Sequence, residues 1–144
     1  MTLQVTSELF DALLAEAAAA RPRECCGLLF GEVGERRIDA FTAATNVHPQ
    51  PQNHFEIDPQ TLIDAHRAMR SGGPELVGYY HSHPIGQARP SATDTAMAAG
   101  DGMIWAIVGA RGGCGADGGV GDTITFWRAG KAGFSALPYR LVSR

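Results

Sequence analysis

Two histidines one residue apart, His81 and His83, at the end of an apolar run constrain this 144-residue chain more than any other feature. The run Glu75-Leu-Val-Gly-Tyr-Tyr80 follows the turn signal Ser71-Gly72-Gly73-Pro74 and reads as a strand. On a strand, residues i and i+2 face the same way with Cα atoms roughly 6.5–7 Å apart. His81 and His83 therefore aim their imidazoles at one place, close enough to share an ion, and Ser82 faces away. Pro84 has no N–H to offer a ladder, so the strand is expected to end there. A polar loop leads to Ser91, which opens a helical run reaching Ala99. Asp94 falls in its first turn and can fold back toward the histidines. Two nitrogens and one oxygen form a ligand set that zinc accepts, with a fourth position left for water.

Each part also has a plainer reading. A bare His-x-His is often a polar pair on a strand surface. Ser91-x-x-Asp94 is also a capping box, with serine at the N-cap and an acid three residues on. The Ser91 hydroxyl has one donor proton and two acceptor lone pairs, so it can accept from the helix N–H and still donate to a substrate oxygen. Asp94 cannot as easily cap and bind metal with the same lone pairs, and the metal role is the one expected of it.

The order His-x-His-Pro, then Ser-x-x-Asp with seven residues between His83 and Ser91, resembles the signature of the JAMM metallopeptidases, the MPN+ or Mov34/PAD-1 family. Upstream, Glu24-Cys25-Cys26-Gly27-Leu28-Leu29-Phe30-Gly31 is similar to that family's Glu-x-x-Gly-x-Leu-x-Gly pattern. The resemblance runs from Glu24 to the last strands. It implies an α/β (α+β) sandwich, a mixed β-sheet flanked by helices, similar to the cytidine deaminase fold. It implies one Zn2+ per chain held by His81, His83 and Asp94, with Glu24 as the general base for a zinc-activated water and Ser91 as a donor to the oxyanion. It implies hydrolysis of a peptide or isopeptide bond at the C-terminal Gly-Gly of a ubiquitin-like or sulfur-carrier protein. The chain is too short to hold both ubiquitin-gripping insertions of the deubiquitinating members and looks more like the compact prokaryotic ones.

Other zinc hydrolase signatures are absent: the deaminase combination of His-x-Glu with Pro-Cys-x-x-Cys does not occur, since the chain has no Pro-Cys-x-x-Cys, and neither does the zincin His-Glu-x-x-His helix. Three alternatives stand beside the main reading. One is the same chemistry on unrelated peptides, such as cell-wall or phage-tail material. Another is a scaffold or adaptor module of the kind that has lost its ligands, against which the presence of Glu24, His81, His83, Ser91 and Asp94 counts. The third is a DNA-associated role, which a net charge of -3 does not favour.

Composition sets the frame. A hydrophobic share of 44% and a charged share of 19% describe an ordinary globule, and the length suits a single domain over 1–144. No run approaches a membrane span, no secretory leader pattern is visible, and neither a nucleic acid nor a membrane is expected as partner. Oligomeric state is left open. Three cysteines argue against a disulfide framework, and reduced thiols in a cytoplasmic setting are expected, with Cys25 and Cys26 in an apolar stretch.

Along the chain, Ser7 to Ala20 carries the helical stripe Leu9, Phe10, Leu13, Leu14 and Ala17, closed by Arg21-Pro22. Glu24 to Gly31 reads as a buried strand with the glutamate at its start, and Arg36 to Thr45 as the next. His54 to Ile57 alternates like a short strand. Asp58-Pro59 marks a helix start, with Leu62, Ile63, His66 and Met69 expected on its buried side. His48, His54 and His66 are read as surface or structural histidines. Met103 to Val108, Thr123 to Arg128 and Phe134 to Leu137 are the remaining strands, Tyr139 to Arg144 a tail, and glycine-rich Arg111 to Gly121 a mobile connection without phosphate-loop spacing.

Overall fold

The computed structural model describes residues 2–32, 34, 36–111 and 122–143. Apart from Arg111, the glycine-rich connection and Cys114 lie outside them. Among the described residues the chain runs β1 (Leu3–Thr6), α1 (Ser7–Ala20), β2 (Cys26–Glu32), β3 (Arg37–Ala44), α2 (Pro59–Arg70), β4 (Glu75–Gln87), α3 (Ala92–Met97), β5 (Ile104–Ala110), β6 (Asp122–Gly130), β7 (Gly133–Leu137) and β8 (Tyr139–Val142). The strands form one mixed sheet in the order β7-β6-β5-β4-β2-β3-β1-β8. β2 lies antiparallel between β3 and β4, and β4 runs parallel to β5.

Alternation along β2 decides which helix covers which face. Leu29 joins Leu9, Leu13 and Ala17 of α1 in a core that includes Val5, Ile38, Val77 and Tyr80. Leu28 and Phe30 point the other way, to Ala65, Leu62 and Met69 of α2. The result is a three-layer sandwich, helix on sheet on helix. α1 is capped by the Thr6 side chain, which accepts from the Leu9 N–H, and α2 by Asp58, with Pro59 opening the helix as expected.

Several expectations change. β4 does not stop at Pro84. Its pairing with β2 ends at His81, and its pairing with β5 breaks between Ser82 and Gln87, so Pro84 occupies a stretch of extended chain where no ladder bond is required of it. On α2, Ile63 is 46% exposed and His66 is exposed as well, because the buried stripe runs through Leu62, Ala65 and Met69. His54–Ile57 forms only an isolated bridge, Ile57 to Asn46. Leu3–Thr6 and Tyr139–Val142, one not foreseen and the other read as a tail, pair with each other in parallel and complete the edge of the sheet.

Candidate metal centre

The centre is built where β4 leaves the sheet. As the two-residue spacing requires, His81 and His83 share a face, and their Nε2 atoms stand 3.2 Å apart. α3 brings Asp94 to them: His81 Nε2 lies 3.0 Å from Asp94 Oδ1 and His83 Nε2 lies 3.1 Å from Oδ2. Two ligands bound at tetrahedral angles, each about 2.0–2.1 Å from a zinc, would be about 3.3 Å apart. The separations of 3.0–3.2 Å, measured to both carboxylate oxygens, bring the three side chains within reach of one ion. These are also the residues among those described whose donor atoms cluster in a way that suits a metal ion.

Tautomers fit the same assignment. His83 Nδ1 lies 2.8 Å from the Gln87 carbonyl, which can only accept, so Nδ1 carries a proton; without an ion Nε2 donates to Asp94, and once the ring is neutral Nε2 is the nitrogen left with a lone pair for an ion. His81 is fully buried, with its ring stacked on Phe55 at 4.3 Å and edge-on to Trp105 at 5.5 Å. Among the described residues its Nδ1 has no hydrogen-bond partner, so what Nε2 meets decides that ring's tautomer.

Asp94 reconciles the two roles that the sequence set against each other. Ser91 and Asp94 form a complete capping box: Ser91 N donates to Asp94 Oδ2 (2.9 Å) and Asp94 N donates to Ser91 Oγ (3.0 Å). The cap uses only Oδ2. Among the described residues Oδ1 has no main-chain partner, and it faces His81, so one carboxylate closes the helix and still presents a ligand atom.

Electrostatics follow from burial and these pairings. Burial raises the Asp94 carboxyl, but hydrogen bonds from His81 and His83, their charge and the Ser91 N–H outweigh it and hold its pKa well below the usual range. Burial lowers His81 despite Asp94. Burial also pulls His83 down, but hydrogen bonding to Asp94 and Gln87 and the Asp94 and Glu24 charges win, leaving it above its ordinary value. Glu24, 6% exposed, is pushed up to about 7 by burial, with Asp94 adding to the rise and His83 opposing it.

Glu24 sits two residues before β2, on the strand that neighbours β4, and shares a small cleft with Asp94, Thr93, Met97, His48 and His54. Its side chain is buried. The final rung between these strands is closed by a residue that sequence reasoning passed over. Ser82 N donates to the Cys25 carbonyl (3.1 Å), and Cys25 N donates to Ser82 Oγ (2.9 Å). Phe55 and Trp105 were likewise not foreseen, since stacking on His81 depends on strands and loops distant in sequence. His48 and His54 stack on each other at 4.6 Å and bond to Gln50 N and Asn53, as hydrogen-bonded rim residues. Cys25 and Cys26 are buried thiols, each pushed up to about 12 by burial, which removes them as nucleophiles. A roomier cavity of about 480 Å³, lined by Leu3, Ile38, Val77 and Ile104 with Arg36 and Arg128, lies toward the other end of β4 and contains none of the predicted site residues.

Comparison with known proteins follows the same lines. Residues 6–130 match Prok-JAB, the prokaryotic homologs of the JAB domain. The desampylase of Haloferax volcanii is 34% identical over 109 residues, 73% of this chain and 78% of that protein. The CysO-cysteine peptidase of Mycobacterium tuberculosis is 30% identical over 109 residues, 76% of this chain and 74% of that protein. A solution structure of a protein from Desulfitobacterium hafniense superposes with a TM-score of 0.82 at 27% identity, covering 99% of this chain and 94% of that one.

Proposed function

The chain belongs to the JAMM family as one of the prokaryotic homologs of the JAB domain, and we propose that it is a zinc-dependent peptidase or isopeptidase that cuts at the C-terminal Gly-Gly of a ubiquitin-like or sulfur-carrier protein. The observation that carries this reading is the convergence of His81 Nε2, His83 Nε2 and the Asp94 carboxylate beside a buried glutamate. The relatives named desampylase and CysO-cysteine peptidase support the reaction class and the kind of substrate.

His81, His83 and Asp94 would hold the metal, which when bound would supply a Lewis acid and a more acidic water. Glu24, buried beside them, would take a proton at its carboxylate and return it to the departing amine. Phe55 and Trp105 keep bulk water off His81 and fix its ring. Ser91 Oγ accepts from the Asp94 N–H and keeps its own proton free to donate to the substrate carbonyl oxygen as charge develops there.

The test is metal content together with cleavage of a Gly-Gly-ended carrier fused to a short peptide. Wild type should hold about one zinc per chain and release the peptide. His83→Ala should do neither. Glu24→Gln should hold zinc and lose most turnover, and an active Glu24→Gln protein rules out the base assignment. Wild type that takes no zinc even after reconstitution at neutral pH would instead be an adaptor.

A further inference from the structure

One side chain ties Glu24 to the segment that covers His81, and it is not a ligand, a base or a core residue. Asn46 Nδ2 donates to the Glu24 carbonyl at 3.0 Å and to the His54 carbonyl at 2.9 Å. Its Oδ1 accepts from the N–H of His48 and of Glu56, each at 3.1 Å. A carboxamide has two donor protons and two acceptor lone pairs, and here all four are used on main chain. The reverse placement of oxygen and nitrogen would set an acceptor against two carbonyls and a donor against two N–H groups, so the network admits one orientation only.

The connection from Asn46 to Ile57 closes on itself at the Asn46–Ile57 bridge and carries Phe55 onto the His81 ring. It also takes the Glu24 N–H, which donates to the Pro51 carbonyl at 2.7 Å. Both main-chain groups of Glu24 are therefore held by this one connection. The next residue, Cys25, is held by Ser82, between the two proposed ligands. We infer that Asn46 is a positioning residue for the reaction: its amide sets the distance between the Glu24 carboxylate and the metal centre by locking Glu24 and the Phe55 segment into one frame. This rests on the reading of Glu24 as the base.

The experiment uses full-length, zinc-loaded protein and the Gly-Gly carrier–peptide fusion. Asn46→Ala should keep about one zinc per chain and leave KM within about twofold of wild type. Turnover per bound zinc should fall tenfold or more, the scale on which small displacements of reacting groups act. In a Glu24→Gln background the same substitution should cost nothing further, because the group it positions is gone. Loss of folded protein alone would lower the zinc-loaded fraction but not the turnover of each loaded molecule. Turnover per zinc within twofold of wild type, or an equal loss in the Glu24→Gln background, overturns the proposal. If Asn46→Ala does not fold, Asn46→Ser is read by the same criteria, and failure of both to fold overturns it in favour of a purely structural role. A fully active Glu24→Gln protein is a different result: it removes the base reading itself, whatever Asn46 does.

Discussion

A carboxylate engaged in a helix cap is usually a poor candidate for a metal, and Asp94 escapes that conflict by dividing its oxygens between the Ser91 N–H and His81. The same division makes Ser91 testable. Ser91→Ala removes the N-cap, at about 1 kcal/mol. As an oxyanion donor its loss should also lower turnover roughly 10²–10³-fold with zinc retained. Steady-state kinetics beside a thermal scan separate the two, and near-normal turnover would leave Ser91 as a cap alone. Glu24 makes a second prediction, for metal-free protein. Its folded pKa of about 7 stands above the ordinary 4.5 because burial disfavours the charge. Between those values the folded state binds more protons than the unfolded, so this residue's contribution falls as pH rises from about 4.5 to 7 and is highest below that window. The full swing is about 3 kcal/mol. Denaturant unfolding of chelated wild type and Glu24→Gln at pH 5 and 7.5 should show the wild type losing about 2 kcal/mol more, the part of the swing that falls between those values. Equal slopes would mean Glu24 is not buried as a neutral acid.

Among the elements, what the sequence made readable was whatever depends on near neighbours. The bounds of α1 and the cap of α2 follow from apolar spacing, Arg21-Pro22, Asp58 and Pro59, all local, whereas the Thr6 cap was not read. The common face of His81 and His83 follows from strand period alone. The length of β4 was not readable, because Pro84 is tolerated only where pairing lapses between Ser82 and Gln87, a property of β5. The roles of Ser82, Asn46 and Phe55 were hidden for the same reason: each partner comes from another element. Close strand packing gives a prediction at this scale. A Cβ on Gly78 would overlap the Ile104 carbonyl, in the β4–β5 ladder that carries the histidines. Both atoms are near main chain and cannot swing aside, so Gly78→Ala should cost more than about 2 kcal/mol and lower zinc uptake, whereas a Cβ at Gly34 meets nothing within 4 Å. Unfolding midpoints for Gly78→Ala check this.

For the whole molecule, the proposed ligands join β4 to α3, so a bound ion would act as a staple as well as a reagent. An ion that binds only the folded chain stabilises it by about 4 kcal/mol when free zinc is a thousand times its dissociation constant. Chelation should lower the thermal midpoint of wild type and leave that of His83→Ala unmoved. An equal drop in both would point to zinc held elsewhere. At this scale the sandwich with its mixed sheet was legible in the sequence, while its edge was not. β1 and β8 are each four residues long, and their parallel pairing joins the two ends of the chain, a contact that no local pattern announces.

The two halves of the centre also have different histories in assembly. His81, His83 and Asp94 lie on one short, nearly continuous stretch of chain. Glu24 reaches them only once β2 has zipped against β4, from far upstream. Contacts between distant segments form late in folding because their loop entropy is costly. On that ordering the polypeptide would acquire an ion before it acquires its proposed base. An occupied centre and a competent one would then be separate milestones, and Glu24→Gln is expected to leave a metal-loaded scaffold without turnover.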